Sequence, residues 1–373
     1  MNKRIVHISS VHARYDNRIL IKECTSLAKA DFDVSLFIAD GKGNELFQGV
    51  SIIDVGVKKG MFHRLGVIVP RIVKQALKIK PEVFHFHDPE LIPAALLLRI
   101  LGYKVIYDIH EDYTTSIRQK PYLNSFIAKC IAFLFNYFEK FSAVFFTNII
   151  AEKYYADRFP NSTAVLNYPI LSQEKLSDAI SRSIPRSADL IYTGNITYDR
   201  GALNHAKVLN KLEHVSITMV GKCNGAIVPS IEQAAGAGKE RLKLIGVNTF
   251  VNPEYIGNKY KEQSWLAGLA LFPKTYHYEK KELTKFFEYM KYGIPIICSD
   301  FPHWKELIED NECGFAVDPD RIDEIDSAIN QLLNNPSLYI KMSENGMNLY
   351  NTKFNWSIEE KKLIALYAHI LES

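Results

Sequence analysis

KELTKFFEYMKYGIPIICSDFP, residues 281–302, reads as a helix followed by a buried strand. Phe286, Phe287 and Met290 recur at helical spacing and define one apolar face. Gly293 suits the left-handed position that ends a helix, and Pro295 cannot continue it. Ile294–Cys298 is then a short apolar run of the kind found in central parallel strands. Thr284, Lys285 and Glu288 lie three or four positions apart and share the other helix face. Thr284 and Lys285 sit near the helix N-terminus, where backbone N–H groups and the dipole favour an anion. Glu288, one turn further in, is placed to accept two hydrogen bonds from a vicinal diol. Anion site plus diol acceptor suits a nucleotide diphosphate and its ribose. The same pattern also describes an amphipathic helix with a solvated Lys–Glu pair.

Working outward from this stretch, strand and helix patterns alternate along both halves of the chain, which predicts an α/β, doubly wound architecture built twice. In the second half Leu190–Thr193 is a strand followed by Gly194-Asn195-Ile196-Thr197-Tyr198-Asp199-Arg200-Gly201, with a helix from about Ala202. Glycines let backbone approach a phosphate, and Arg200 can neutralise it beside a helix N-terminus; a plain surface turn reads the same way. Val215–Val220 ends at Gly221-Lys222, Leu242–Gly246 leads to Phe250 and Val251, and Gly314–Val317 is a further strand. Asp318-Pro319-Asp320 reads as the cap of a helix over Arg321–Leu333.

In the first half Arg4–Ser9, Asp33–Ala39, Val83–Phe86, Val105–Ile109, Ala143–Asn148 and Ala164–Leu166 read as strands, and Ile19–Lys29 as a helix. The first loop lacks GxGxxG, so an ordinary dinucleotide site is not supported. Instead it carries His12, Arg14, Asp16 and Arg18, donors and acceptors suited to sugar hydroxyls or phosphate, or simply to water. Two strands end in His–acid clusters, His85-Phe86-His87-Asp88 and Asp108-Ile109-His110, where ligands collect in open α/β sheets. His85-x-His87 resembles half a zinc site, but no third ligand is spaced for it, so no metal is expected.

The chain has 373 residues, a net charge of +3 and ordinary globular composition, which gives no ground for a nucleic-acid partner. Its five cysteines form no CxxC pair and fit buried thiols in a reducing compartment. MNKRIVHISS opens a strand and has no signal-peptide pattern, and no run of about 18 apolar residues suggests a spanning helix. A cytoplasmic location is expected. Two stretches raise peripheral contact with an anionic membrane: Lys58 to Lys80, basic with interleaved apolar residues, and FIAKCIAFLFNYFEKF, residues 126–141. The second reads more readily as a core helix.

FFEYMKYGIPIICSD, residues 286–300, is similar to the signature of retaining glycosyltransferases with the GT-B fold, most of all those of family 4. Thr284–Met290 resembles that family's TKxFEYM variant. The resemblance implies two Rossmann-like doubly wound domains facing across a cleft. They would be an acceptor-side domain over 1–169, a linker over 170–187 and a nucleotide-sugar domain over 188–356, with a helix over 357–373 crossing back. It implies that Glu288 binds the donor ribose. The acidic residue expected eight positions earlier is Lys280, flanked by Glu279 and Glu282 as substitutes. The family's glycine, basic residue and later basic-Gly pair map to Gly194, Asn195 and Arg200-Gly201. Arg200 is then the main diphosphate ligand and Lys285 its assistant. Phe250 and Val251 fall where the family contacts the base. VIYDIHEDY, residues 105–113, resembles the segment whose histidine, here His110, contacts the donor sugar. His87 and Asp88 resemble acceptor-side positions, and the first loop sits at the cleft mouth with Asp108 nearby. The implied activity is metal-independent transfer of a sugar, with retention, from a nucleotide-diphosphate donor to a glycan or lipid-linked acceptor in surface polysaccharide synthesis. No cofactor is implied. His110, Arg200, Lys285 and Glu288 would carry the chemistry. A nucleotide-sugar epimerase or hydrolase and a non-catalytic sugar-nucleotide binder are the alternatives; Lys280 and Asn195 favour the latter.

Overall fold

A computed structural model describes residues 3–110, 112–118, 124–171 and 184–372. Most of the linker expected over 170–187 lies outside the described residues. The chain divides into two compact units, Met1–Ile170 with Trp356–Ser373, and Leu171–Asn355.

The first unit is built on eight strands: β1 Arg4–Ile8, β2 Asp33–Ile38, β3 Glu45–Phe47, β4 Val50–Asp54, β5 Val83–Phe86, β6 Lys104–Ile109, β7 Thr147–Ile150 and β8 Ser162–Ala164. Their order is β3-β4-β2-β1-β5-β6-β7-β8, parallel except for the β3–β4 hairpin. Strand order reverses between β1 and β5, the switch point where a doubly wound sheet opens a crevice. Side chains alternate across the sheet. Val6 and Ile8 join Phe84 and Phe86 in one core layer. Ile5 and Val83 face the other, where Trp356, Leu363 and Tyr367 of the helix Trp356–Glu372 cover them. Fully burying a residue such as Leu363 contributes about 1.5–3 kcal/mol, which holds this helix on the first unit.

The second unit has β9 Ala188–Thr193, β10 Val215–Cys223, β11 Leu242–Val247, β12 Ala267–Ala270, β13 Ile296–Ser299 and β14 Gly314–Val317. The order β11-β10-β9-β12-β13-β14 is wholly parallel, with the switch point between β9 and β12. The quoted stretch forms the helix Thr284–Lys291 followed by β13. Phe286, Phe287 and Met290 are buried as their spacing predicts. Gly293 is left-handed with φ of 62°. Tyr289 lies against β12, its hydroxyl donating to the carbonyls of Ile191 and Leu269. Its ring occupies the space a Cβ on Gly268 would need, 2.5 Å away, so the glycine lets helix and strand close up.

Several local expectations are corrected. The β3–β4 hairpin, turned at Gln48-Gly49, and the helix Pro336–Thr352, capped by Asn335, were not among the expected elements. Of the strand expected over Ala143–Asn148, Ala143 ends the helix Ser125–Ala143 and residues 144–146 form a turn, so the seventh strand begins only at Thr147. The eighth strand covers Ser162–Ala164 rather than Ala164–Leu166. Asp318 does not cap the following helix: that helix starts at Ile322, and Asp318 accepts from the N–H of Asp320. The helix Ser125–Ala143 is not a core helix. Ala128, Ala132, Glu139 and Ala143 are buried, while Phe126, Phe133 and Tyr137 are 74%, 64% and 71% exposed.

Candidate functional site

The second unit's switch point gathers the residues of interest. β9 ends at Thr193, and Gly194 follows with φ of 103°. Gly221, at the end of β10, passes so close that an added Cβ would lie 1.9 Å from the Gly194 carbonyl. Gly201, also left-handed, would clash with the Leu271 carbonyl at 2.0 Å. These glycines allow three strand ends to crowd one point.

Two cations reach that point. Had Gly194 a Cβ, Lys285 Nζ would be 3.8 Å from it and Arg200 Nη1 3.9 Å. The alternative reading of Lys285 as half of a solvated Lys–Glu pair does not hold: it is buried, because the helix start is tucked under β9 and β12. Its ammonium lies 3.5 Å from the ring centroid of Tyr192 and 4.9 Å from that of Phe272. Aromatic faces attract a cation but accept no ordinary hydrogen bond, and Nζ has no hydrogen-bond partner. Burial, with Arg200 adding to it, holds the Lys285 ammonium well below the ordinary lysine value, against an opposing pull from Glu288. His205 sits behind, accepting from the N–H of Leu271 at 3.0 Å. Burial and then Lys285 push it down to about 3, so it stays neutral. Tyr278 donates to Asp199 at 2.6 Å; burial and then this bond push its hydroxyl up to about 12.

Glu288, one turn beyond Lys285, accepts from Tyr260 at 2.8 Å. Tyr260 also meets Thr193 Oγ1 at 2.6 Å. With the phenol proton directed to the carboxylate, Thr193 donates to Tyr260, and the relay fixes Glu288. Tyr192, Thr193, Tyr260 and Phe272 were not legible as site residues. They come from strand ends and from a helix, Pro253–Glu262, remote in sequence.

The remaining donor-side candidates spread outward. Asn195 is exposed, and its carbonyl accepts from Tyr192 at 2.7 Å. Lys222 and Thr284 are exposed, as is Phe250, while Val251 packs at Gly246. Glu279 is half-buried. Glu282 is buried and 3.3 Å from His303 Nε2, so its carboxylate is engaged within the protein.

The first unit's candidates form a second polar cluster at its own switch point. Asp88, fully buried, accepts from Ser9 Oγ at 2.9 Å and the Ser10 N–H at 2.7 Å. His12 lies between Asp16, at 3.3 Å, and Asp88, at 3.4 Å. Asp16 accepts from the N–H groups of Arg18 and Ile19. Arg14, expected to face a ligand, is instead committed internally: its guanidinium bonds Asp40 twice, Glu45 and the Gly43 carbonyl. Asp108 is likewise internal, bound at both oxygens by Arg18. Burial alone would raise its pKa, but Arg18 and then His110 hold it well below the usual range. His87 is buried rather than lining an open surface. Its Nδ1 lies 3.3 Å from Asp108 and 3.1 Å from His110 Nε2, and His110 is the outermost of the three.

Residues 247–349 match the family described as glycosyl transferases group 1. The alpha-D-kanosaminyltransferase of Streptomyces kanamyceticus is 26% identical over 187 residues, 48% of this chain and 45% of that protein. An uncharacterized glycosyltransferase of Haemophilus influenzae is 40% identical over 60 residues, 15% of this chain and 16% of that one. The chain thus spans less than half the length of these curated relatives. Among solved structures, sucrose-phosphate synthase from Thermosynechococcus elongatus superposes with a TM-score of 0.75 at 15% identity over 100% of both chains. Anabaena HepE in complex with UDP-glucose gives 0.70 at 12%, covering 98% of this chain and 99% of that one. Lys285, Glu288, Tyr260 and Phe272 fall inside the matched segment, whereas Gly194 and Arg200 precede it. Residues 247–349, inside the second unit, thus match the glycosyl transferases group 1 model, and the two Rossmann-like domains have the GT-B fold of these solved structures.

Proposed function

We propose that this protein is a retaining, metal-independent glycosyltransferase that uses a nucleotide-diphosphate sugar. The observation that carries the reading is the convergence of Lys285 Nζ and Arg200 Nη1 on Gly194, with the ammonium buried and without an acceptor. A diphosphate supplies both the negative charge and the acceptor oxygens. Breaking the anomeric bond builds further negative charge on it, and fixed cations are then most useful. Glu288, held by Tyr260, would accept from the ribose hydroxyls. His110 would contact the sugar, with attack from the leaving-group face retaining configuration. HepE, of the same fold, is seen with UDP-glucose, which makes uridine the first base to test.

A thermal-shift panel of UDP-, GDP-, ADP- and dTDP-sugars, without added metal, tests this. One donor class should raise Tm by several degrees, with the shift lost in Arg200→Ala. No shift with any of them would sink the reading. Incubating the selected donor without acceptor then separates transfer from hydrolysis or epimerisation, since a transferase turns it over slowly.

The acceptor in this proposal is a glycan or lipid-linked sugar at an anionic membrane, supported by the exposed apolar face of the helix Ser125–Ala143. That face presents Phe126, Phe133, Tyr137 and Phe141 beside the exposed Lys129 and Lys140. No helix among the described residues is long and apolar enough to cross a membrane. The basic stretch before it contributes less than its sequence suggests, because Arg64 is bound by Glu90 and Arg71 by the Val55 carbonyl. Flotation with phosphatidylglycerol vesicles is expected to carry the protein, and phosphatidylcholine vesicles to carry much less. Phe133→Ser with Tyr137→Ser should reduce flotation at least tenfold. Self-association without flotation would assign the face to a second copy instead.

A further inference from the structure

We infer that the first unit holds a structural divalent transition-metal ion, with zinc the best fit, bound by His7, Glu23, His85 and His87. The four come from β1, from the helical turns Ile19–Cys24, from β5 and from His87 just past its end, and each offers a ligand atom within 4.8 Å of the others. His7 and His85 are register partners on adjacent parallel strands, and His87 follows two residues on, on the same face. All four side chains are buried. The sequence offered only His85-x-His87; His7 and Glu23 join it through strand pairing and helix packing.

The cluster has unfilled valences. His85 Nε2 and both oxygens of Glu23 are buried without a hydrogen-bond partner, although Arg18 Nε passes 3.1 Å from one Glu23 oxygen. A buried carboxylate beside an imidazole, both unsatisfied, demands an ion, a water or a proton. The outward nitrogens are already engaged. His85 Nδ1 is 2.7 Å from the Tyr367 hydroxyl, His7 Nε2 is 3.2 Å from the same hydroxyl, and His87 Nδ1 is 3.3 Å from Asp108. The inward atoms are His7 Nδ1 and His87 Nε2, which face each other at 2.9 Å, and His85 Nε2.

The three histidines can be satisfied without an ion, by a relay from Tyr367 through His7 and His87 to Asp108, but that relay leaves His85 Nε2 and the Glu23 oxygens over. With a metal on the three inward nitrogens, every outward nitrogen carries its hydrogen: His85 and His7 face Tyr367, and His87 donates to Asp108. This is the carboxylate–histidine–metal arrangement that orients ligands in metal sites. Three imidazoles and one carboxylate, closed to solvent, match a four-coordinate structural zinc site. The competing state has no metal and a protonated Glu23. The ion would anchor the two strand ends and the histidine layer; it takes no part in the transfer step.

The test uses the full chain with any affinity tag removed. It is stripped with dipicolinate, then titrated with Zn²⁺ or Co²⁺. Expected are one equivalent bound by elemental analysis, a rise in Tm, and with Co²⁺ the intense visible bands of a tetrahedral site. Glu23→Gln preserves shape and should weaken binding at least tenfold. His85→Gln should abolish the Co²⁺ bands, and His369→Ala, at an exposed histidine, should change nothing. The absence of stoichiometric binding and of any Tm shift in the wild-type chain overturns the proposal. So does binding that is equal in Glu23→Gln and wild type, even if His85→Gln fails to fold.

Discussion

Lys285→Met is expected to raise Tm by a few degrees while lowering sugar transfer by about 10²–10³-fold. The two effects share one cause. In the ligand-free protein the ammonium is buried between two aromatic rings, beside a second cation and without an acceptor. Its folded pKa lies below its unfolded one. Between these values the unfolded chain holds the extra proton, so stability rises with pH through that window and is weakest below it. Replacing such a charge with an apolar side chain of similar length stabilises by about 1–4 kcal/mol, which for a unit of this size is several degrees. A diphosphate reverses the balance, since its charge favours the protonated amine. Nucleotide binding should therefore take up a proton at pH values between the amine's free and bound pKa in the wild type, and less in Lys285→Met. Calorimetry in buffers of different ionisation enthalpy measures this directly. A variant that is both less stable and fully active would contradict the assignment.

Glu288→Ala is expected to weaken donor use by about 10–10²-fold, the equivalent of one or two charge-assisted hydrogen bonds. The loss should appear mainly in KM for a ribonucleotide sugar. A 2′-deoxyribose donor should already lack part of the wild-type contact, so the variant should cost it less. Tyr260→Phe should behave as a milder Glu288 variant, because the phenol holds the carboxylate at 2.8 Å and is itself buried. Equal losses with ribose and deoxyribose donors would show that Glu288 acts on something other than the diol.

The parts of this molecule that were legible in its sequence are those governed by local physics. Short apolar runs bounded by glycine, proline and polar residues gave most of the parallel strands, and the alternation of elements gave the doubly wound class. The helix Thr284–Lys291 was readable down to its buried face. Beyond that, the pattern ran out in identifiable places. Ala143–Phe146 is apolar without a break, and no periodicity marks where the helix stops and β7 begins. Phe126, Phe133 and Tyr137 read as core because composition does not say which face of a helix has a neighbour. The burial of Lys285 was not legible, because helical spacing fixes its direction but not what stands opposite. Tyr192 and Phe272, which enclose it, are 93 and 13 positions away. Arg14 looked like a ligand contact because a loop arginine shows its charge in sequence and hides its partners, here Asp40 and Glu45.

The route of the backbone has a consequence for biogenesis. The chain leaves its first unit at Ile170 and rejoins it only at Trp356. Tyr367, whose hydroxyl touches both His7 and His85, therefore reaches the ribosome 282 codons after His85 and 360 after His7. At about 5–20 residues per second, that gap is on the order of 15–70 s. Throughout it the nascent histidine layer is roofless, while an entire second unit is translated and has time to fold. Polypeptides stalled before codon 356 should expose that layer to proteases, and release past codon 372 should close it.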